Sequence, residues 1–219
     1  MIVEILNYTK KIKTTVVLDN ISLELSGGKI YGLQGINGSG KTMLLRAICG
    51  LIYPTSGKVL IDEKELGKDI SFPESVGALI ENPVFLKNMT GFDNLALLCR
   101  IKRIASKTDI IESLDRVGLD PNDKRVFRKY SLGMRQRLGI ASSIVEKPDI
   151  ILLDEPFNAL DKSGVEMASR IIKEEKKRGA LVVLACHSEE LLSDLADEII
   201  VLEGGKISGK KVREQNEDH

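Results

Sequence analysis

The stretch Gly35-Ile36-Asn37-Gly38-Ser39-Gly40-Lys41-Thr42 constrains this chain more than any other. It fits the pattern G-x-x-x-x-G-K-[ST], whose backbone cradles phosphates. The residues before it, Lys29-Ile30-Tyr31-Gly32-Leu33-Gln34, read as a strand, and those after it, Met43-Leu44-Leu45-Arg46-Ala47-Ile48, read as a helix. Glycines let the backbone turn tightly and point N–H groups inward with no Cβ in the way. A helix starting near Lys41 aims its positive dipole end at the same point. Gly35, Asn37, Gly38, Ser39, Gly40, Lys41, Thr42 and Met43 are therefore expected to line bound phosphates. Lys41 brings a point charge for the β- and γ-phosphates, and Thr42 a hydroxyl for Mg2+.

Composition narrows the partners. The chain has 219 residues, and 32 Lys plus Arg balance 32 Asp plus Glu. No net field gathers DNA or RNA, so no nucleic-acid partner is expected. Cys49, Cys99 and Cys186 lie far apart without metal-ligand spacing, which fits a reducing compartment. Met1-Ile2-Val3-Glu4-Ile5 carries a charge too early for a signal-peptide core. No apolar run approaches the roughly 18 residues that a membrane helix needs. Any membrane role is expected to come through a partner.

Taken in order, residues 1 to 27 hold two extended stretches, with Ile21 to Leu25 alternating apolar and polar. Gly50, Pro54 and Gly57 interrupt the chain after the loop helix. Val59 to Ile61 reads as a strand, Lys64 to Ser75 as loop with a short helix, and Gly77 to Ile80 as a small strand ending at Glu81. From Thr90 to Lys147 the chain reads as helical throughout: Asp93 to Ile104, a helix opened by the capping box Ser106-Lys107-Thr108-Asp109, and Ser131 to Val145. Asp149 to Asp154 and Ala180 to Ala185 are continuously apolar, as in parallel strands covered on both faces. A charged helix, Asp161 to Arg178, separates them. A short helix, Ser188 to Ala196, and a hairpin at Gly204-Gly205 complete the chain, with a fraying tail from Lys210 to His219.

Three of these strands end in residues suited to phosphate chemistry. One delivers the Gly35–Thr42 loop, one Asp154-Glu155 and one His187. Ligands of open α/β sheets bind beyond the carboxyl ends of the strands, so the three groups can meet on one edge. Asp154 is placed to hold Mg2+, Glu155 to take a proton from an attacking water, and His187 to donate to the γ-phosphate.

The phosphate loop, Tyr130-Ser131-Leu132-Gly133-Met134-Arg135-Gln136-Arg137, Ile150–Glu155, Asn158-Ala159-Leu160-Asp161 and His187 together resemble the ordered motif set of the ATP-binding subunit of ABC transporters. The resemblance runs over nearly the whole chain. It implies a single α/β domain over 1–219: a phosphate-loop NTPase core (about 1–85 and 148–219) with a mostly parallel sheet, an N-terminal antiparallel part and an inserted helical subdomain (about 88–147). It implies ATP and Mg2+ as ligands and ATP hydrolysis as the activity. Glu155, His187 and Lys41 are the implied catalytic residues. Thr42, Glu81 and Asp154 are the implied metal residues. It further implies a head-to-tail dimer with a second copy or a paralogue. In that dimer Ser131 and Gly133 of one chain face Lys41 and Thr42 of the other, and Asp161 couples the two sites. The membrane partner is a separate permease, which holds the chain on the cytoplasmic face.

Three positions depart from the family pattern. Glu81 stands for a glutamine, Leu132 for a glycine, and Ile12 for the aromatic residue that stacks on adenine, with Tyr8 nearby as a substitute. An aliphatic cover has no π-face, so weak base selectivity is expected. Ile80-Glu81-Asn82-Pro83 together with the Ser131–Arg137 run is similar to exporters of bacitracin, lantibiotics and other antimicrobial peptides. In that setting Phe85, Leu86 and Met89 either anchor the permease or pack on the helical insert. The rival readings are a soluble ABC ATPase acting on ribosomes or DNA, and a nucleotide sensor with little turnover.

Overall fold

The computed structural model describes residues 1–213. The chain opens with β1 (Ile2–Ile12) and β2 (Thr15–Ser26), and β3 (Ile30–Gln34) leads through the phosphate loop into α1 (Lys41–Ile48). β4 (Ser56–Ile61), the two-residue β5 (Lys64–Glu65) and β6 (Val76–Leu79) follow. Next come α2 (Gly91–Lys102), α3 (Lys107–Arg116) and α4 (Leu132–Ile144). Then β7 (Ile150–Asp154), α5 (Lys162–Lys177), β8 (Leu181–Ala185) and α6 (Glu189–Leu195) alternate, before the closing hairpin of β9 (Glu198–Glu203) and β10 (Lys206–Val212).

The strands form two sheets. A four-stranded antiparallel sheet runs β2-β1-β4-β5, and a six-stranded sheet runs β10-β9-β3-β8-β7-β6. All neighbours in the second sheet are parallel except β10 and β9. The uninterrupted apolar runs of β7 and β8 have a direct cause. Side chains alternate faces along a strand, and here both faces are covered. Ile150, Leu152, Leu181 and Val183 point into a core shared with α1 and the antiparallel sheet. Ile151, Leu153, Val182 and Leu184 point into a second core made with α2 to α6. This is the α/β class expected from the sequence, with its parallel sheet and N-terminal antiparallel part.

Each α-helix between β6 and β7 starts on a hydroxyl cap, whereas the 3-10 turn Phe127–Lys129 has none. Thr90, Ser106 and Ser131 accept from the amides of Asp93, Asp109 and Met134, and Ser106 with Asp109 completes a capping box. α4 lies hard against β6. A Cβ on Gly77 would come 1.8 Å from the Ser143 carbonyl oxygen, and one on Gly139 would come 2.8 Å from Leu79 Cδ1. Both glycines are there for that close approach.

Four local expectations need correction. The region Thr90 to Lys147 is not helical throughout. Gly118 is left-handed at φ 70°, and side chains of Asp120 and Asp123 accept from the amides of Asn122 and Arg125, turns that compete with helix. Residues 64–75 contain no helix. Their turn closes on the Glu65 carbonyl, which accepts from the amides of Lys68, Asp69 and Ile70. Lys210 to Val212 is not fraying tail but part of β10, paired with Ile200, Ile199 and Glu198. The rest of that expected tail, from 214 on, lies outside the described residues. Tyr8 is buried, as described below.

Candidate functional site

The phosphate loop has the backbone its glycines permit. Gly38 and Gly40 are left-handed, at φ 79° and 109°, and a Cβ on Gly35 would stand 2.4 Å from both the Leu202 carbonyl oxygen and Ser39 Oγ. Gly40 opens α1 without a side-chain cap, so the amides of Lys41, Thr42 and Met43 are left for an anion. Lys41 is buried, its ammonium donating to the carbonyls of Gly35 at 2.7 Å and Ile36 at 3.2 Å. Ser39 Oγ is buried in the same loop with no hydrogen-bond partner in the chain, and Asn37 lies exposed beside it.

β8 separates β3 from β7, which sets three groups along one sheet edge. Thr42 Oγ1, at the start of α1, donates to Asp154 Oδ2 at 2.7 Å, and Asp154 is buried. Glu155 is the next residue, held left-handed at φ 49°. Its peptide is clamped on both sides: its N–H donates to the Ala185 carbonyl at 2.9 Å, and its carbonyl accepts from Gln136 Nε2 at 3.1 Å. Its Oε1 lies 3.0 Å from His187 Nε2, just past the end of β8. Burial pushes the Glu155 carboxyl above its ordinary value, against the opposing pull of His187 and Lys41. A raised pKa suits a proton acceptor. Burial likewise raises the Cys186 thiol, which marks a packed group rather than a nucleophile.

Glu81 follows β6, the strand beside β7, and is left-handed at φ 61°. Its Oε1 accepts from Arg46 Nη2 at 2.6 Å. The structure thus sets Glu81 on a cation of α1.

Ser131, Gly133, Arg137 and Asp161 line one open groove, and no residue of the phosphate loop lines it with them. Ser131 caps α4 through the Met134 amide at 3.2 Å. A Cβ on Gly133 would meet the Ala159 carbonyl oxygen at 3.0 Å, and Leu132 is 71% exposed. Asp161 caps α5. The Gly164 N–H at 2.8 Å is the main cause that lowers its carboxyl, and the Ser163 hydroxyl at 3.1 Å adds to it.

Ile12 ends β1 and is largely exposed. Tyr8 is fully buried, its hydroxyl donates to the Ile52 carbonyl at 3.0 Å, and burial raises its pKa to about 12. Tyr8 therefore cannot present a ring to a base. The anchor residues divide: Phe85 packs edge-on against Phe127 with ring centres 5.3 Å apart, whereas Leu86 is exposed.

Two residues escaped the sequence reading, Arg46 and Gln136. Arg46 carried a signal in its spacing, four residues past Thr42 on one helix face. Gln136 gave a weaker one, a polar side chain on the inward face of α4.

These residues suit a magnesium-bound phosphate chain. The donors are hard oxygens, the loop is a cradle that a Cβ at Gly35 would fill, and a buried hydroxyl of that loop is unpartnered. Fold and site together define a phosphate-loop protein with the nucleotide edge at the C-terminal ends of a parallel sheet. The model of the ABC transporter family matches residues 18–158. The chain is 52% identical over 205 residues to an uncharacterised ABC transporter ATP-binding protein, YybJ, of Bacillus subtilis (strain 168), covering 94% of each chain. It is 37% identical over 208 residues to the bacitracin transport ATP-binding protein BcrA of Enterococcus faecalis, covering 94% of this chain and 68% of that one. A dimeric post-hydrolysis structure of the ATP-binding cassette MJ0796 bound to ADP and Pi superimposes with a TM-score of 0.87 at 24% identity, covering 96% of this chain and 98% of that one. The chain belongs to the ABC transporter ATP-binding family.

Proposed function

We propose that this chain binds and hydrolyses ATP to power a separate membrane permease, which exports a peptide antibiotic, a lipid or a similar amphiphile. The observation that carries the reading is the edge where Thr42 meets Asp154 and Glu155 meets His187, next to a buried Lys41. Mg2+ would be held by Thr42, Asp154 and Glu81, and when bound it neutralises charge on the transferring phosphoryl group. Lys41, released from the carbonyls of Gly35 and Ile36, supplies a fixed charge for the β- and γ-phosphates. Glu155 accepts the proton of the water as its oxygen bonds the γ-phosphorus and the bond to ADP breaks. His187 orients that carboxylate and donates to the γ-phosphate. The peptide clamps from Ala185 and Gln136 fix where Glu155 stands.

Ser131 and Gly133 lie apart from the phosphate loop, in a groove with Asp161. A second chain paired head to tail would bring that groove over the first chain's nucleotide, with the Leu132 and Gly133 amides of α4, which the Ser131 cap does not take up, near the γ-phosphate. MJ0796, which shares the fold, is itself dimeric with ADP and Pi bound, in keeping with pairing of this kind.

The permease side is supported by an apolar strip. Leu97, Leu98, Ile101 and Ile104 near α2 and Leu86 before it are exposed. The helical insert, about 88–147, would present this strip to the permease, while the core, about 1–85 and 148–219, holds the nucleotide. Among the described residues no helix is long and apolar enough to cross a membrane. The BcrA relative, a bacitracin transport ATP-binding protein, supports transport of a compound of that kind. The test is steady-state phosphate release from Mg-ATP by the purified chain, followed by co-purification with a membrane partner. Absence of phosphate release, alone and with the partner, would overturn the reading.

A further inference from the structure

We infer that Arg46 is a positioning residue for Glu81, and that it competes for that carboxylate with a divalent cation held at the Thr42–Asp154 pair. The inference rests on the nucleotide reading above and adds to it a residue that carries no motif.

The geometry is a ladder on one helix. Thr42 and Arg46 stand four residues apart on α1, and so share a face one turn apart. Thr42 reaches Asp154 at the end of β7 at 2.7 Å, and Arg46 reaches Glu81 just past β6 at 2.6 Å. β6 and β7 are parallel neighbours with Leu79 opposite Leu153. Asp154 follows Leu153 directly and Glu81 follows Leu79 by two residues, so the carboxylates leave adjacent strands at the same edge. One helix face therefore grips both.

This ion pair is a poor candidate for a structural one. The Arg46 and Glu81 side chains are 32% and 61% exposed, and exposed pairs add little to folding. Its effect falls on the site instead. A carboxylate beside the phosphate loop adds negative charge to a place that must take a polyanion, and Arg46 offsets it. The guanidinium also holds Oε1 and the carboxylate's charge, so a metal that recruits Glu81 must share it with Arg46 or turn it away. Arg46 thus sets both the standing position of Glu81 and how readily a cation can recruit it.

The experiment measures Mn2+ affinity of the full chain with ADP, read by electron paramagnetic resonance of free Mn2+, so it does not depend on turnover. Arg46→Gln should tighten Mn2+ by about two- to fivefold, the range an exposed charge pair supports. In the Glu81→Gln background the same change should have no effect. Arg46→Lys, which keeps the charge, should stay near the parent value. An unchanged affinity in Arg46→Gln, an equal change with Glu81→Gln present, or a lysine variant that behaves like the glutamine one would each overturn the inference. A parent chain that binds neither ADP nor Mn2+ with ADP would instead overturn the nucleotide reading.

Discussion

The hydroxyl of Thr42 donates to the carboxylate of Asp154 at 2.7 Å, joining groups 112 positions apart in the chain. Their meeting requires α1 to leave β3 toward the edge where β7 ends. Asp154→Asn keeps the shape of this contact and removes its charge. We expect ADP to bind the variant in the absence of Mg2+ as it binds the parent. The tightening that Mg2+ brings should fall by about ten- to a hundredfold. Titration calorimetry with and without Mg2+ checks this, and an undiminished Mg2+ effect would remove Asp154 from the metal role.

Glu155 titrates above its ordinary value because it is buried. A carboxyl whose folded pKa is raised binds its proton more tightly in the native state. Its contribution to stability is then fully present in acid and is lost as pH rises through the folded value. Glu155→Gln removes that loss. The variant should melt above the parent at neutral pH, and the gap should close as pH falls toward 4.5, the ordinary value. Its phosphate release should drop by about a hundred- to ten-thousandfold while ATP still binds and traps a dimer. Melting curves across pH and size-exclusion chromatography with ATP provide the two readings.

Glu175 is a buried carboxylate on α5 held by two cations. Arg116 of α3 donates to it at 2.7 Å and Arg178 at 2.8 Å. Removing the carboxylate takes the shared partner from Arg116 and Arg178, which are partly exposed and keep Glu174 and the Pro148 carbonyl as acceptors. Glu175→Ala should therefore cost about 2 kcal/mol, the order of charged hydrogen bonds lost, seen as a lower urea midpoint. The nucleotide affinity of the folded fraction should not change, because the pair ties α3 to α5 rather than touching the phosphate edge.

Tyr8 is sealed in the core, so on the proposed reading the base would be covered by the aliphatic Ile12 at the rim of the β1–β2 hairpin. ATP and GTP should then bind within a few-fold of each other. Ile12→Tyr should tighten ATP by about 1 kcal/mol, the order of one aromatic stacking contact. Competition of both nucleotides for a fluorescent ADP analogue tests this, and a strong ATP preference in the parent chain would refute it.

The fold was largely legible because its signals are local. A phosphate loop between strand and helix, and strands apolar at every position, name a covered parallel sheet without knowledge of contacts. The failures are equally physical. In β1 the left-handed Asn7, at φ 47°, shifts the register after Ile5, so Tyr8 turns inward where simple alternation from Val3 and Ile5 would turn it outward. After α3 the left-handed Gly118, Pro121 and the side-chain turns at Asp120 and Asp123 together keep the chain from helix, and periodicity alone passes over such breakers. Glu81 and Arg46 are 35 residues apart, and nothing in either segment states that β6 ends beside α1. The hold of Gln136 on the Glu155 peptide was hidden for the same reason.

The missing side chain at Gly77 has an evolutionary consequence. With the Ser143 carbonyl 1.8 Å from where a Cβ would stand, even alanine would wedge α4 off the sheet. Ser131 and Gly133, at the far end of that helix, would swing with it. Gln136 would lose its grip on the Glu155 carbonyl. One methyl group at the start of β6 would thus detune both halves of the machine, and a substitution there should be tolerated far less well than one on the exposed surface.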